Sequence, residues 1–282
     1  MPELVLELNR LAGTTRLTEV QAANVWAGTS RLEPVQALRS KSGKTAEAAQ
    51  CLNSIAGTTG LPEPAAAARI GRRAVLDGSS GCYLSTPDKA AYAMSGTLRY
   101  VCRLGWPDYT PAAITGVMAQ YNTTGNQRGW LIQIITDGRI QYIRSTDGQA
   151  GTSVTGTSTA PSLTDGTIYW IGVEYVTSSG ALAFYKAPDA PTVPSIWSGW
   201  TSISSTTITS GAPFDSTAAL SVGAFNAGTS NMATGDFYDA IVYDDGVAVA
   251  TYNANDAAVG GSSFTSSATG ETWTVNGTGV VR

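Results

Sequence analysis

The chain contains no histidine. That removes the commonest general base, the Ser-His-Asp and Cys-His arrangements, and every histidine-based metal site. Charge is scarce too: Asp, Glu, Lys and Arg make up 13% of the 282 residues, and the net charge is −4. Neither residues 1–70 nor the remainder is a basic tail, so no nucleic acid partner is expected, because phosphate binding needs a clustered basic surface. The only cysteines are Cys51, Cys82 and Cys102, at no metal-ligand spacing. They read as buried free thiols, with a Cys82–Cys102 bridge left open if their strands prove to be neighbours. No run of eighteen apolar residues occurs and no basic stretch precedes an apolar one at the start. Neither a membrane span nor a signal peptide is therefore expected, and synthesis in the cytosol is.

What the chain does have is rhythm, of two kinds. In residues 1–72 a short unit recurs with its glycines at Gly13, Gly28, Gly43 and Gly57, a period of roughly fifteen residues. Glycine in the left-handed conformation closes a helix, and the Thr or Ser that follows can cap the next one. Glu19, Glu33, Glu47 and Glu63 fall near helix starts, where a carboxylate suits the dipole. The reading is a small α-helical repeat domain whose short helices must stack or dock on a partner to be stable. Its apolar positions Leu8, Leu11, Leu17, Val25, Trp26, Leu32, Leu52 and Ile55 are the expected assembly contacts. Gly43-Lys44-Thr45 is not the end of a phosphate loop, since Leu38 stands where that pattern needs glycine.

From residue 73 to 282 the period is two. Predicted strands cover 82–85, 97–104, 114–121, 130–136, 139–144, 167–176, 181–186, 219–225, 237–244, 247–252 and 272–276. Asp137-Gly138, Asp147-Gly148, Ser179-Gly180 and Asp245-Gly246 supply hairpin turns between several of them. Many short strands joined by such turns predict a mainly β domain, an antiparallel sandwich of two packed sheets. In the hairpin of residues 130–144, Gln133, Gln141 and Arg144 are expected on polar faces.

The motif order is Gly81-Cys-Tyr-Leu-Ser-Thr-Pro, Gly96-Thr-Leu-Arg-Tyr-Val-Cys-Arg-Leu, Arg128-Gly-Trp-Leu-Ile-Gln, Tyr169-Trp-Ile-Gly-Val-Glu-Tyr, Leu220-Ser-Val-Gly-Ala-Phe, Phe237-Tyr-Asp-Ala-Ile-Val-Tyr-Asp-Asp-Gly and Glu271-Thr-Trp-Thr-Val-Asn-Gly. Over residues 74–282 it resembles the laminin-G/concanavalin A-like (LamG) jelly-roll domains of actinobacteriophage tail and virion proteins. The Leu-Asn-x-x-Ala-Gly-Thr-Thr repeat resembles segments found ahead of such domains. The resemblance implies a structural virion component, a minor tail protein or a capsid-attached decoration or fibre protein made in the host bacterial cytoplasm. Residues 1–72 would attach to other virion proteins, and the sandwich would be displayed outward as a homo-oligomer, a trimer by analogy. The Ser/Thr-rich stretch 199–211 suits packing against copies of itself.

Three kinds of chemistry are open to the β domain. A host glycan would need exposed aromatics beside a few amides or carboxylates. Trp106 and Tyr109 in one Pro/Gly-rich loop, and Trp197 and Trp200 in another, are the candidates. A carbohydrate-binding module without a virion role is the first alternative. Calcium would be the ion for oxygen ligands drawn from Asp236, Asp239 and Asp244, although their spacing matches no known loop and no cofactor is required. A degenerate glycoside hydrolase, the second alternative, would need two facing carboxylates. The only glutamates in the domain are Glu174 and Glu271, far apart in sequence and each alone on its strand. Enzymatic activity is not expected.

Overall fold

A computed structural model describes residues 71–195 and 197–282. The expected helical repeat, and with it Leu8, Leu11, Leu17, Val25, Trp26, Leu32, Leu52 and Ile55, lies outside the described residues. Within them every strand pairing is antiparallel and forms part of one of two sheets. Sheet A runs in spatial order β10 (Thr201–Thr207), β9 (Ala181–Pro188), β8 (Ile168–Val176), β3 (Thr97–Gly105), β12 (Thr234–Asp244), β1 (Ala74–Asp77) and β16 (Val280–Val281). A further strand, β13 (Val247–Asn253), pairs with β12 beyond β1. Sheet B runs β14 (Ser263–Thr265), β15 (Thr272–Asn276), β2 (Tyr83–Thr86), β11 (Leu220–Val222), β4 (Thr115–Asn122), β5 (Gln127–Ile134), β6 (Ile140–Gly148) and β7 (Val154–Thr157). The chain repeatedly crosses between the sheets, consistent with a jelly-roll. Among the described residues helices are single 3-10 turns, and none is long and apolar enough to cross a membrane.

Alternation decides which side chains meet between the sheets. On β3, Leu98, Tyr100, Cys102 and Leu104 point inward, while Arg99, Val101 and Arg103 point out. On β8, Ile171, Val173 and Tyr175 join the same core, and Trp170, Gly172 and Glu174 take the outer face. Sheet B contributes Trp130, Ile132, Ile134, Ile140 and Tyr142. Trp130 meets Tyr100 across the sandwich with ring centroids 4.2 Å apart. Each such fully buried aromatic contributes about 2–3 kcal/mol in apolar burial. The turn chemistry follows the sequence where it matters most. Asp245 (φ 46°) and Gly246 (φ 82°) both take positive φ, which is what a two-residue type I′ turn between β12 and β13 requires.

One expectation of the fold changes, and the reading of Cys82 and Cys102 as buried free thiols holds. Arg144 is not on a polar face: it is opposite Trp130 in the β5–β6 register and 0% exposed, inside the sandwich. Cys82 and Cys102 are buried and free; Cys102 stands on sheet A, whereas Cys82 leads into β2 of sheet B. Strands β1, β7, β10, β14 and β16 were not legible, and β10, in the Ser/Thr-rich stretch, forms an outer edge of sheet A.

Candidate functional site

Residues 189–195 and 197–200 lie on the outer face of sheet A, and glycine is the reason they can. A Cβ at Gly172 would come within 2.5 Å of the Trp197 ring and 3.1 Å of the Trp200 ring. A glycine within a strand marks such a close approach. Trp197 stacks on Tyr185 of β9 with centroids 4.1 Å apart and planes 13° off parallel. Trp200 meets Trp197 edge-on at 5.0 Å and Trp170 at 6.5 Å. Below them Val101, Trp170, Ala187 and Ile241 form a small second core on the outside of the sheet. Trp170 fastens the segment by donating its Nε1–H to the Ala190 carbonyl (3.0 Å). Arg103, only 2% exposed, reaches Asp189 with Nε at 2.7 Å and lies 4.6 Å from the Tyr238 ring centroid.

Glu174 joins this aromatic wall to an open floor. Its Oε2 accepts from Arg99 Nε (2.6 Å) and from Trp197 Nε1 (2.7 Å). Past Glu174, a depression of about 420 Å³ is lined by Glu174 and Val176 of β8, Ala181 and Ala183 of β9, and Ser205 and Thr207 of β10. The register explains its shape. Gly172 pairs with Tyr185 and Glu174 with Ala183, so the ring pair stands one outward position beyond the small-residue floor. Burial and the nearby Glu174 charge push the Tyr185 phenol above its ordinary pKa. The arrangement offers apolar ring surface, one carboxylate and hydroxyls, side by side.

Of the residues singled out from sequence, Trp197 and Trp200 are here, both half-buried. Trp106 and Tyr109 are not surface platforms. Each is 1% exposed, and the two rings stack on one another at 5.9 Å within the sandwich core. The Tyr109 hydroxyl donates to main-chain carbonyls of Leu104 and Thr167, which makes it a structural tie. Tyr185, Arg99, Ser205 and Thr207 were missed as site residues. Outward alternation on β9 and the glycine in Trp170-Ile-Gly-Val-Glu174 were the available signals.

The calcium set comes apart in the same way. Asp236 pairs with Arg73 at 2.8 Å, Asp239 faces Arg103 Nη1 at 3.8 Å, and Asp244 accepts from the Gly96 N–H at 2.9 Å. Among the described residues no group of three acids and thiols is placed to hold a metal. The two glutamates do not meet either. Glu174 is on the outside of sheet A, whereas Glu271, beside β15 of sheet B, is fixed by Lys89 (2.9 Å), the Thr251 N–H (2.6 Å) and Thr269 (2.8 Å).

Asp239 carries a pH prediction. Burial pushes its carboxyl up from 3.8 to about 6, an effect only partly opposed by Arg103. For an acid raised in the folded state, the contribution is fully present below the unfolded value and is lost as pH rises through the folded one. Urea unfolding of the native chain should therefore weaken relative to Asp239→Asn by roughly 1–2 kcal/mol between pH 4 and pH 7. A difference that stays constant across that range would contradict it.

No protein-family model matches this chain, and no curated protein does. Solved structures do resemble it in fold. A Bacteroides ovatus protein, given as a candidate carbohydrate-binding protein, matches with a TM-score of 0.50 at 10% identity, covering 76% of this chain and 60% of that one. The CBM40 module of the Ruminococcus gnavus IT-sialidase, solved with α2,3-sialyllactose, matches with a TM-score of 0.45 at 11% identity over 62% of this chain and 92% of that one. Mouse laminin α1 domains LG4–5 match with a TM-score of 0.44 at 13% identity over 68% of this chain and 47% of that one. The class defined is an antiparallel β-sandwich of two packed sheets.

Proposed function

We propose that the β domain is a glycan-binding module whose site is the outer face of sheet A. The observation that carries this reading is the stacked Tyr185–Trp197 pair standing beside a hydroxyl-lined floor, with Glu174 hydrogen-bonded to the ring above it. Aromatic surface beside a few placed polar groups is the arrangement that binds the apolar face and the hydroxyls of a sugar together. The Bacteroides ovatus protein of similar fold, given as a candidate carbohydrate binder, is in keeping with it. Binding is favoured over hydrolysis, because Glu174 and Glu271 belong to different sheets and cannot flank one bond.

The test is a glycan array followed by calorimetric titration of the full chain. Trp197→Ala and Tyr185→Ala should each weaken binding at least about tenfold, equivalent to ~1.4 kcal/mol. Failure of the native chain to bind any glycan would overturn the reading. The setting we propose for this module is a bacteriophage particle, attached through residues 1–72 and displayed as a homo-oligomer. That rests on the motif order and the N-terminal repeat. A particle map without the protein, or normal incorporation of a chain lacking residues 1–70, would overturn it.

A further inference from the structure

We infer that this site selects uncharged sugars and rejects acidic ones. The inference rests on the glycan-binding reading above and adds the ligand's charge to it.

The floor carries one carboxylate, and the cation that matches it lies on the far side, away from the floor. Glu174 is the charged residue among those lining the depression; the others are Val, Leu, Ala, Ser and Thr. Its Oε2 is shared by Arg99 and Trp197, while Oε1 has no partner among the described residues and remains an acceptor for a ligand hydroxyl. The cations of the flanking strands already hold partners. Arg99 stands on β3, which neighbours β8 on the side away from β9 and β10, and its Nε is bound to Glu174. Lys186 of β9 gives its Nζ to the carbonyls of Pro161 (2.5 Å) and Ser162 (3.2 Å). A carboxylate or sulfate lowered onto the floor would thus lose its water and approach the outer oxygen of a carboxylate, with no unbound cation on the floor side among the described residues. Desolvating a charge without a partner is the strongest available penalty against a ligand, and selectivity is commonly built from such penalties. A neutral ring meets no such cost: its hydroxyls donate to Oε1 and exchange with Ser205 and Thr207, and its C–H face lies against the ring wall.

The experiment titrates the full chain with neutral oligosaccharides and with counterparts that differ only by a sialic acid, uronic acid or sulfate group. The neutral member of each pair should bind at least about tenfold more tightly. Glu174→Gln keeps an acceptor, removes the like charge and releases Arg99, so it should narrow that gap. Ser205→Lys, on an exposed edge-strand position that should not disturb the core, should narrow it further by placing a cation on the floor. Acidic ligands binding as well as or better than neutral ones would overturn the inference while leaving the glycan reading intact. A gap unmoved by both variants would overturn it too. Absence of all binding would instead overturn the reading on which it rests.

Discussion

Arg144→Ala is expected to lower the unfolding free energy by about 2–4 kcal/mol, the range for emptying a large buried side chain, offset in part because its Nε and Nη1 have no partner among the described residues. Arg144 is 0% exposed and lies 5.2 Å from the Tyr175 ring centroid. Its Nη2 donates to the carbonyls of Thr209 and Ser210. Those carbonyls belong to the strap that carries the chain from β10 of sheet A to β11 of sheet B. Tyr175 holds the same strap, donating to Thr209 (3.1 Å) and Gly211 (2.9 Å). Truncation removes a large side chain from a packed interior and takes a donor from the Ser210 carbonyl, so a cavity and a lost hydrogen bond add. Arg144→Met keeps most of the volume and should lose clearly less. Urea melts of the three proteins decide the matter. A loss below about 1 kcal/mol in Arg144→Ala would mean that the strap holds without its arginine.

Gly172→Val is expected to abolish glycan binding, a loss of a hundredfold or more, while leaving the sandwich folded. The new Cβ would sit 2.5 Å from Trp197 Cζ3 and 2.8 Å from its Cη2, so the ring must leave the sheet and take its stacking on Tyr185 with it. The inward neighbours Ile171 and Val173 are untouched, and valine suits a strand. Tryptophan emission should shift to longer wavelength as Trp197 meets water, with a melting temperature near that of the native chain. Unchanged affinity with a displaced Trp197 would remove that ring from the site.

Much of the sandwich was legible because its longer strands obey the two-residue period and its turns carry Asp-Gly or Ser-Gly. The hairpin of β5 and β6 shows both the strength and the limit of that reading. Its inward isoleucines and tyrosine followed the pattern, whereas Arg144 broke it: polarity alone argued for the surface, and only the strap's carbonyls, remote in sequence, make the interior tolerable. Trp106 and Tyr109 failed for the converse reason. Pro107 and Gly105 marked a loop, and a loop suggests exposure, but this one folds its rings back under Phe237 and Tyr169. β10 was illegible because Ser and Thr in series show no apolar alternation, and an edge strand needs none. The site itself was half visible. Trp197 and Trp200 stood out as aromatics in a loop, but their partners Tyr185, Glu174 and Gly172 are joined to them by strand register rather than by any local motif.

The ion pair between buried Arg103 and exposed Asp189 has a consequence for how the module would meet a ligand. Asp189 opens the segment that carries both tryptophans, and Arg103 anchors it from a strand at the middle of sheet A. The ring pair of Trp197 and Tyr185 is thus in place in the folded sandwich, and a ligand would find the wall already standing. Pre-organisation of this kind spares the binding step the entropy of fixing loop and rotamers. It also frees association from waiting on a rearrangement. Free and occupied forms should superimpose at residues 189–195 and 197–200, and weak affinity, where found, would reflect few contacts instead of a mobile site.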